Sequence, residues 1–138
     1  MSETLTLDAL KENFLFFDGW EDKYAYLIDL GKKVNGLDAV YKIDVYKVVG
    51  CTSNVWLVSH VSEDGVVTFE ADSDALIVRG LISVLMSAYN AKTPNEIADV
   101  DIQAFFTDIG LDQHLSPSRR NGFFAMVERI KALSSPCV

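Results

Sequence analysis

Cysteine and histidine are the side chains of this chain best suited to nucleophilic or metal chemistry, and there are only two of each. They are spread along the sequence as Cys51, His60, His114 and Cys137. None of them forms the CxxC or HxxxH spacing of a zinc site, and two cysteines cannot build a disulfide framework. The sequence therefore predicts no resident metal.

Cys51 stands out because of its neighbours. A structural cysteine normally lies within an apolar stretch, but Cys51 follows Gly50 and precedes Thr52-Ser53-Asn54, where the chain should leave a sheet. That position would let the sulfur approach another molecule, although an inert buried thiol is the alternative. No histidine is adjacent, and the nearest bases are Lys42 and Lys47. A strongly activated protease-type nucleophile is therefore disfavoured.

Composition narrows the classes of partner. The 138 residues are 49% hydrophobic and 23% charged, which fits one globular domain over residues 1–138. Twelve basic against twenty acidic residues give a net charge of −8. Such a surface repels nucleic acid and anionic membranes and favours partners with a positive face. The acidic N-terminus lacks a basic flank before an apolar run, which predicts no signal peptide and a cytoplasmic protein with reduced thiols.

Helical patterns occupy the first part of the chain. Leu5 to Phe17 has apolar residues near helical spacing, and Asp18 with Glu21 predicts a capping box for a second helix that ends at Gly31. A polar loop is expected over Val34 to Ala39.

Strand patterns follow in the middle of the chain. Three segments are rich in β-branched and aromatic residues: Tyr46 to Val49, Val55 to His60 and Val66 to Glu70. Ser62-Glu63-Asp64-Gly65 predicts a hairpin turn between the last two. We expect an antiparallel sheet of about three strands.

The remainder is helical. Ser73 or Asp74 can cap a nearly all-apolar helix that runs to about Tyr89 and should form the spine of the core. Three further helices are predicted from their end signals: Thr93-Pro94 with Glu96, Asp101 with Gly110, and Ser116-Pro117 followed by the stripe Phe123, Met126, Val127 and Ile130. This element order predicts an α+β domain with helices packed on one face of the sheet.

Three segments of the sequence, taken together with their order and spacing, resemble a known protein family. They are Gly50-Cys51-Thr52-Ser53-Asn54-Val55-Trp56-Leu57, Asp72-Ser73-Asp74-Ala75-Leu76-Ile77-Val78-Arg79-Gly80-Leu81, and His114-Leu115-Ser116-Pro117-Ser118-Arg119 with Asn121-Gly122. Together they resemble the SufE family of sulfur acceptors in iron–sulfur cluster assembly, which also contains CsdE. The resemblance implies the α+β fold shared with IscU-type scaffold proteins.

The resemblance also implies a function. Cys51 would accept persulfide sulfur from a SufS-type, pyridoxal-phosphate-dependent cysteine desulfurase, stimulate that enzyme and deliver the sulfur to a SufB-type scaffold complex. The chain would have no cofactor of its own, because the pyridoxal phosphate belongs to the desulfurase, and it would not be an enzyme alone. It would act as a monomer or a homodimer. The alternatives are an iron–sulfur scaffold or metal-binding protein of related fold, and an interaction module whose cysteine is inert.

Other candidates have two interpretations each. Asp72-Ser73-Asp74 is either a helix-capping cluster or the place where Asp74 lies against the Cys51 segment. His114 is either structural at a turn or part of a partner-binding surface. Arg119 lies early in a helix, where a cation is disfavoured, so it is a candidate for binding a carboxylate or a partner. Cys137 is either an incidental thiol or a relay cysteine.

Overall fold

The computed structural model describes residues 6–34, 37–48 and 54–134. Cys51 and Cys137 lie outside the described residues. The exposure of the Cys51 sulfur therefore stays a prediction. Helices and strands run in the order α1 Leu7–Phe16, α2 Trp20–Lys32, β1 Val55–Val61, β2 Val67–Ser73, α3 Leu76–Tyr89, α4 Pro94–Asp99, α5 Ile102–Asp108, α6 Leu111–His114 and α7 Pro117–Ser134. Two 3₁₀ turns, Ala39–Tyr41 and Asp44–Tyr46, precede β1.

The sheet is an antiparallel hairpin. β1 and β2 pair from Val55 opposite Ser73 to Val61 opposite Val67. Gly65 adopts a φ of +81° in the connecting turn, which confirms the predicted hairpin. Where a third strand was expected, the described residues form an isolated bridge from Lys47 to Trp56. In the described part of the expected strand, Tyr46 belongs instead to the 3₁₀ turn Asp44–Tyr46, so the strand pairing of residues 46–48 is limited to this bridge.

Helix α3 is the centre of the core, as its composition predicts. Ten of its residues are buried, and the helix packs against α2 and β2. α2 and α3 approach so closely that a Cβ on Gly80 would lie 2.2 Å from the Leu27 carbonyl oxygen. A Cβ on Gly31 would lie 2.5 Å from the Leu76 carbonyl oxygen. Glycine is therefore required at both positions by the contact between the two helices.

Helix ends that depend on short-range contacts agree with the sequence. Thr93 and Glu96 form the complete capping box of α4, and Asp101 accepts the Ala104 N–H at 3.0 Å at the start of α5. Gly110 has a φ of +83°, the left-handed conformation expected where α5 ends. The inward stripe of α7 is buried as predicted: Phe123, Met126, Val127 and Ile130.

Three other predicted helix ends are wrong. Gly19, not Asp18, is the N-cap of α2, and no side chain caps it. Gly31 lies inside α2, which continues to Lys32, because the contact with α3 holds it helical. Ala75, not Ser73 or Asp74, is the N-cap of α3, because β2 continues to Ser73. Across the described ranges, no helix is both long and apolar enough to cross a membrane.

Candidate functional site

The two ends of the segment that contains Cys51 are fixed next to each other. Before the segment, the Val48 N–H donates to the Val55 carbonyl oxygen at 2.8 Å. After it, Asn54 leads directly into β1. The residues that hold these two ends are therefore the described part of the candidate site.

Asn54 is held by Ser73, the last residue of β2, and by Asp74, which follows it. Its backbone N–H donates to Asp74 Oδ1 at 3.2 Å, and its side-chain Nδ2 donates to Asp74 Oδ2 at 2.9 Å. In the other direction, Ser73 Oγ and the Asp74 N–H donate to the Asn54 carbonyl oxygen at 2.7 and 3.3 Å. Four hydrogen bonds thus join Asn54 to Ser73 and Asp74. Since Asn54 is three residues after Cys51, the structure places Asp74 beside the downstream end of the Cys51 segment.

Asp72 holds the chain upstream of Cys51. Its side chain is only 8% exposed, and its Oδ2 lies 3.1 Å from Lys42 Nζ and accepts the Leu37 N–H at 3.2 Å. Its Oδ1 accepts the Ser73 N–H at 2.8 Å and lies 3.3 Å from Arg79 Nε in an ion pair. A buried carboxylate needs such partners, because the loss of hydration would otherwise be costly. Asp72 therefore connects residues 37–42 to β2 and α3.

The environment of Asp72 affects its ionisation. Burial acts to raise its pKa, but the hydrogen bond from Lys42 and those from the Ser73 and Leu37 N–H groups act in the opposite direction. The net result is a pKa below the ordinary value of 3.8. The carboxylate is thus charged at neutral pH and keeps its ion pairs there.

Further contacts hold the chain that leads to Cys51. Lys42 Nζ lies 5.6 Å from the ring centre of Trp56, in a cation–π contact. Arg129 of α7 donates to the Val45 carbonyl oxygen at 3.2 Å. Arg79 donates to the Val34 carbonyl oxygen and so joins the end of α2 to the same region. The chain from Leu37 to Val48, called here the upstream flank, is therefore fastened by side chains of β1, β2 and α7.

Arg119 lies on a different pair of elements. Its Nη1 donates to the Tyr24 hydroxyl of α2 at 3.0 Å, and its backbone N–H donates to Ser116 Oγ at 3.3 Å. The side chain is exposed, so its remaining donors can reach a carboxylate. The structure thus places Arg119 against α2 and Asp74 against Asn54. His114 is the last residue of α6.

Sequence reasoning missed the roles of Asp72 and Lys42 in fixing the upstream flank, and the ion pair of Arg79 with Asp72. A polar run at the end of a buried strand was a usable signal for Asp72, but its partners lie 35 and 30 residues before it in sequence. Among the described residues, no three His, Cys, Asp or Glu side chains lie close enough together to hold a metal ion.

Comparisons with known proteins define the class. A family model described as "SufE: Fe-S metabolism associated domain" matches residues 8–134. An uncharacterized SufE-like protein of Rhizobium meliloti is 43% identical over 130 residues, which cover 92% of this chain and 93% of the relative. A second, from Rhizobium etli, is 44% identical over 129 residues, which cover 91% of this chain and 87% of the relative.

The chain therefore belongs to the SufE family, and this membership implies a role in iron–sulfur metabolism. The fold has a solved counterpart in the solution structure of a hypothetical protein from Thermus thermophilus, with a TM-score of 0.73. The similarity covers 91% of this chain and 90% of that one at 20% sequence identity. The likeness supports the α+β fold expected from the sequence.

Proposed function

We propose that this protein accepts and carries sulfane sulfur. Cys51 takes persulfide sulfur from a SufS-type, pyridoxal-phosphate-dependent cysteine desulfurase, and the protein stimulates that enzyme and delivers the sulfur to a SufB-type scaffold complex. The observation that carries the proposal is the SufE family match, which spans residues 8–134 and so includes Cys51 with its motif. The protein has no cofactor of its own and no turnover alone, and it acts in the cytoplasm, where thiols stay reduced.

The chemical step is an exchange at sulfur. The Cys51 thiolate attacks the outer sulfur of the desulfurase persulfide, a new S–S bond forms, the S–S bond in the desulfurase breaks, and its cysteine leaves as a thiolate. The proton of the outer sulfur remains with it, so atoms and electrons balance without an external oxidant. The rate of such a step depends on the thiolate fraction and on access. A site between two fixed chain ends suits a step that needs one particular approach direction.

The other candidate residues take supporting roles in this proposal. Asp74 restricts the segment that carries Cys51 by holding Asn54. Arg119, exposed and hydrogen-bonded to Tyr24, offers a cation to a carboxylate of the partner. His114, the last residue of α6, is a further candidate for contact with the partner.

The direct test uses intact-protein mass spectrometry after incubation with desulfurase and L-cysteine. Cys51→Ser should gain no sulfur and should lose stimulation of desulfurase turnover while it still binds the enzyme. Cys137→Ser is the matched control and should behave like the parent chain. A Cys51→Ser protein that relays sulfur as well as the parent would refute the proposal, and bound iron in place of added sulfur would indicate a scaffold instead.

A further inference from the structure

Asp72 sits where the two flanks of the Cys51 segment meet. It contacts Leu37 and Lys42 of the upstream flank, and its neighbours in sequence, Ser73 and Asp74, hold Asn54 on the downstream side. Asp72 and Ser73 at the end of β2, with Asp74 directly after the strand, therefore fasten the chain on both sides of the Cys51 segment. Neither the family match nor the relatives assign any role to Asp72.

The upstream flank has limited apolar packing of its own: the Tyr41 and Tyr46 rings contact each other edge to face, with their centres 5.8 Å apart, and Leu37 is half-buried. Three of its large apolar side chains, Val40, Ile43 and Val45, are 69%, 48% and 70% exposed. Val48 is buried, but it lies at the far end of the flank, next to β1. Because this apolar burial is limited, the polar contacts of Asp72 and Arg129 contribute much of the stability of the upstream flank. Segments held in this way open locally at low free-energy cost.

Any partner that reaches Cys51 must also meet this flank. Val48 precedes Cys51 by three residues, so their Cα atoms are at most about 11 Å apart. A standard interface covers about 800 Å² on each protein, which is roughly 30 Å across. The end of the upstream flank therefore falls inside the footprint of a desulfurase that delivers sulfur to Cys51.

From these contacts we infer that Asp72, acting through Lys42 and the Leu37 N–H, is a positioning residue that keeps the upstream flank ordered before the desulfurase docks. The inference rests on the proposed function. A flank that is already ordered costs no ordering entropy on binding, whereas a loosened flank must be ordered by the partner. Loss of Asp72 should therefore weaken docking and leave the sulfur exchange itself intact.

The test compares Asp72→Asn and Lys42→Met with the parent chain. Lys11→Met is the matched control, because it breaks an ion pair of similar length, 3.0 Å, between Lys11 of α1 and Asp108 of α5, neither of which belongs to this flank. Amide hydrogen exchange, measured without desulfurase, should accelerate on the order of tenfold across residues 37–48 in both flank variants. In Lys11→Met, exchange over the same residues should match the parent.

Desulfurase assays supply the second readout. In both flank variants, the protein concentration needed for half-maximal stimulation should rise about fivefold, while maximal stimulation and persulfide loading of Cys51 at saturation are kept. A general loss of folded protein would lower the maximum instead. If the parent chain is active and both flank variants reach half-maximal stimulation at the same concentration as the parent, the inference about Asp72 is overturned while the proposed function stands. A parent chain that neither stimulates the desulfurase nor gains sulfur would remove the proposed function, and this inference with it.

Discussion

Asp74 and Asn54 form the most direct described contact next to Cys51, and it is made by an exposed carboxylate. Both Asp74 carboxylate oxygens accept hydrogen bonds from Asn54, while the bonds to the Asn54 carbonyl come from Ser73 and from the Asp74 backbone. Removal of the Asp74 side chain would thus leave half of the connection in place. Its effect should be local and should appear as a change in the segment that runs from position 54 back to Cys51.

We predict that Asp74→Ala raises the rate of Cys51 alkylation several-fold, in a Cys137→Ser background, while stability falls by about 1 kcal/mol or less. The reason is that the segment would lose its side-chain restraint at Asn54. Asp101→Ala is the control, because it removes a comparable exposed bond at the N-cap of α5. Equal alkylation rates in the two variants would show that Asp74 does not restrain the thiol.

Asp72 should make the free energy of unfolding depend on pH in the acidic range. Its pKa in the folded protein is lower than the ordinary 3.8, so the carboxylate stabilises the fold above that pH and loses this contribution as the pH falls through the folded pKa. We predict that the free energy of unfolding of the parent exceeds that of Asp72→Asn at neutral pH, and that the difference narrows below about pH 4.

Urea unfolding of both proteins over a range of pH measures this difference. Lys42→Met provides the check on mechanism, because removal of the nearest cation should weaken the acid dependence attributed to Asp72. If the free energies of unfolding of the parent and Asp72→Asn, plotted against pH, stay parallel down to low pH, the lowered pKa of Asp72 is contradicted.

The contact between α2 and α3 explains why some elements could be predicted from sequence and others could not. The capping box of Thr93 and Glu96 and the left-handed Gly110 depend on neighbours a few residues away, so their sequence signals were sufficient. Gly31 carried the same kind of signal, but its environment is set by Leu76 and Gly80, far along the chain. Only the packing of the two helices decides that Gly31 stays helical.

In the candidate site, too, some features could be predicted from the sequence and others could not. The chemistry of Cys51 could be proposed from its neighbours in sequence, and the alternative that Asp74 lies near this segment was open. The contacts of Asp72 with Leu37 and Lys42 could not be predicted, because they require β2 and the upstream flank to meet in space. Ser73 and Asp74 looked like helix caps, yet they bind Asn54, since β2 continues through Ser73 before α3 begins.

At the helix pair itself, Gly80→Ala should destabilise the fold by about 1–3 kcal/mol, because the added methyl group would overlap the Leu27 backbone and push α2 from α3. Ser83→Ala on the same helix is the control and should change stability by less than about 0.5 kcal/mol. Thermal or urea unfolding measures both. A Gly80→Ala protein as stable as Ser83→Ala would mean that the two helices can separate slightly at no cost.

At the scale of the whole molecule, the buried side chains join the helices and the hairpin into one cluster. Leu10 and Phe14 of α1, Leu57 of β1 and Ile130 of α7 all belong to it. A continuous core of this kind predicts that the described helices and the hairpin unfold together. The single domain over residues 1–138 stays a prediction that this unfolding would test. The upstream flank differs from this core, because three of its large apolar side chains, Val40, Ile43 and Val45, are exposed.

The two tryptophans test this cooperativity, because Trp20 lies in α2 and Trp56 lies in β1 beside Lys42 of the upstream flank. We predict that the single-tryptophan variants Trp20→Phe and Trp56→Phe each show a fluorescence transition in urea that coincides with their own loss of far-ultraviolet circular dichroism. A fluorescence midpoint below the circular dichroism midpoint in Trp20→Phe alone, where Trp56 is the reporter, would mean that the hairpin and its flank open before the helices. The region around Cys51 would then be a separate folding unit, and its order would depend on the Asp72 and Asp74 contacts more than on the core.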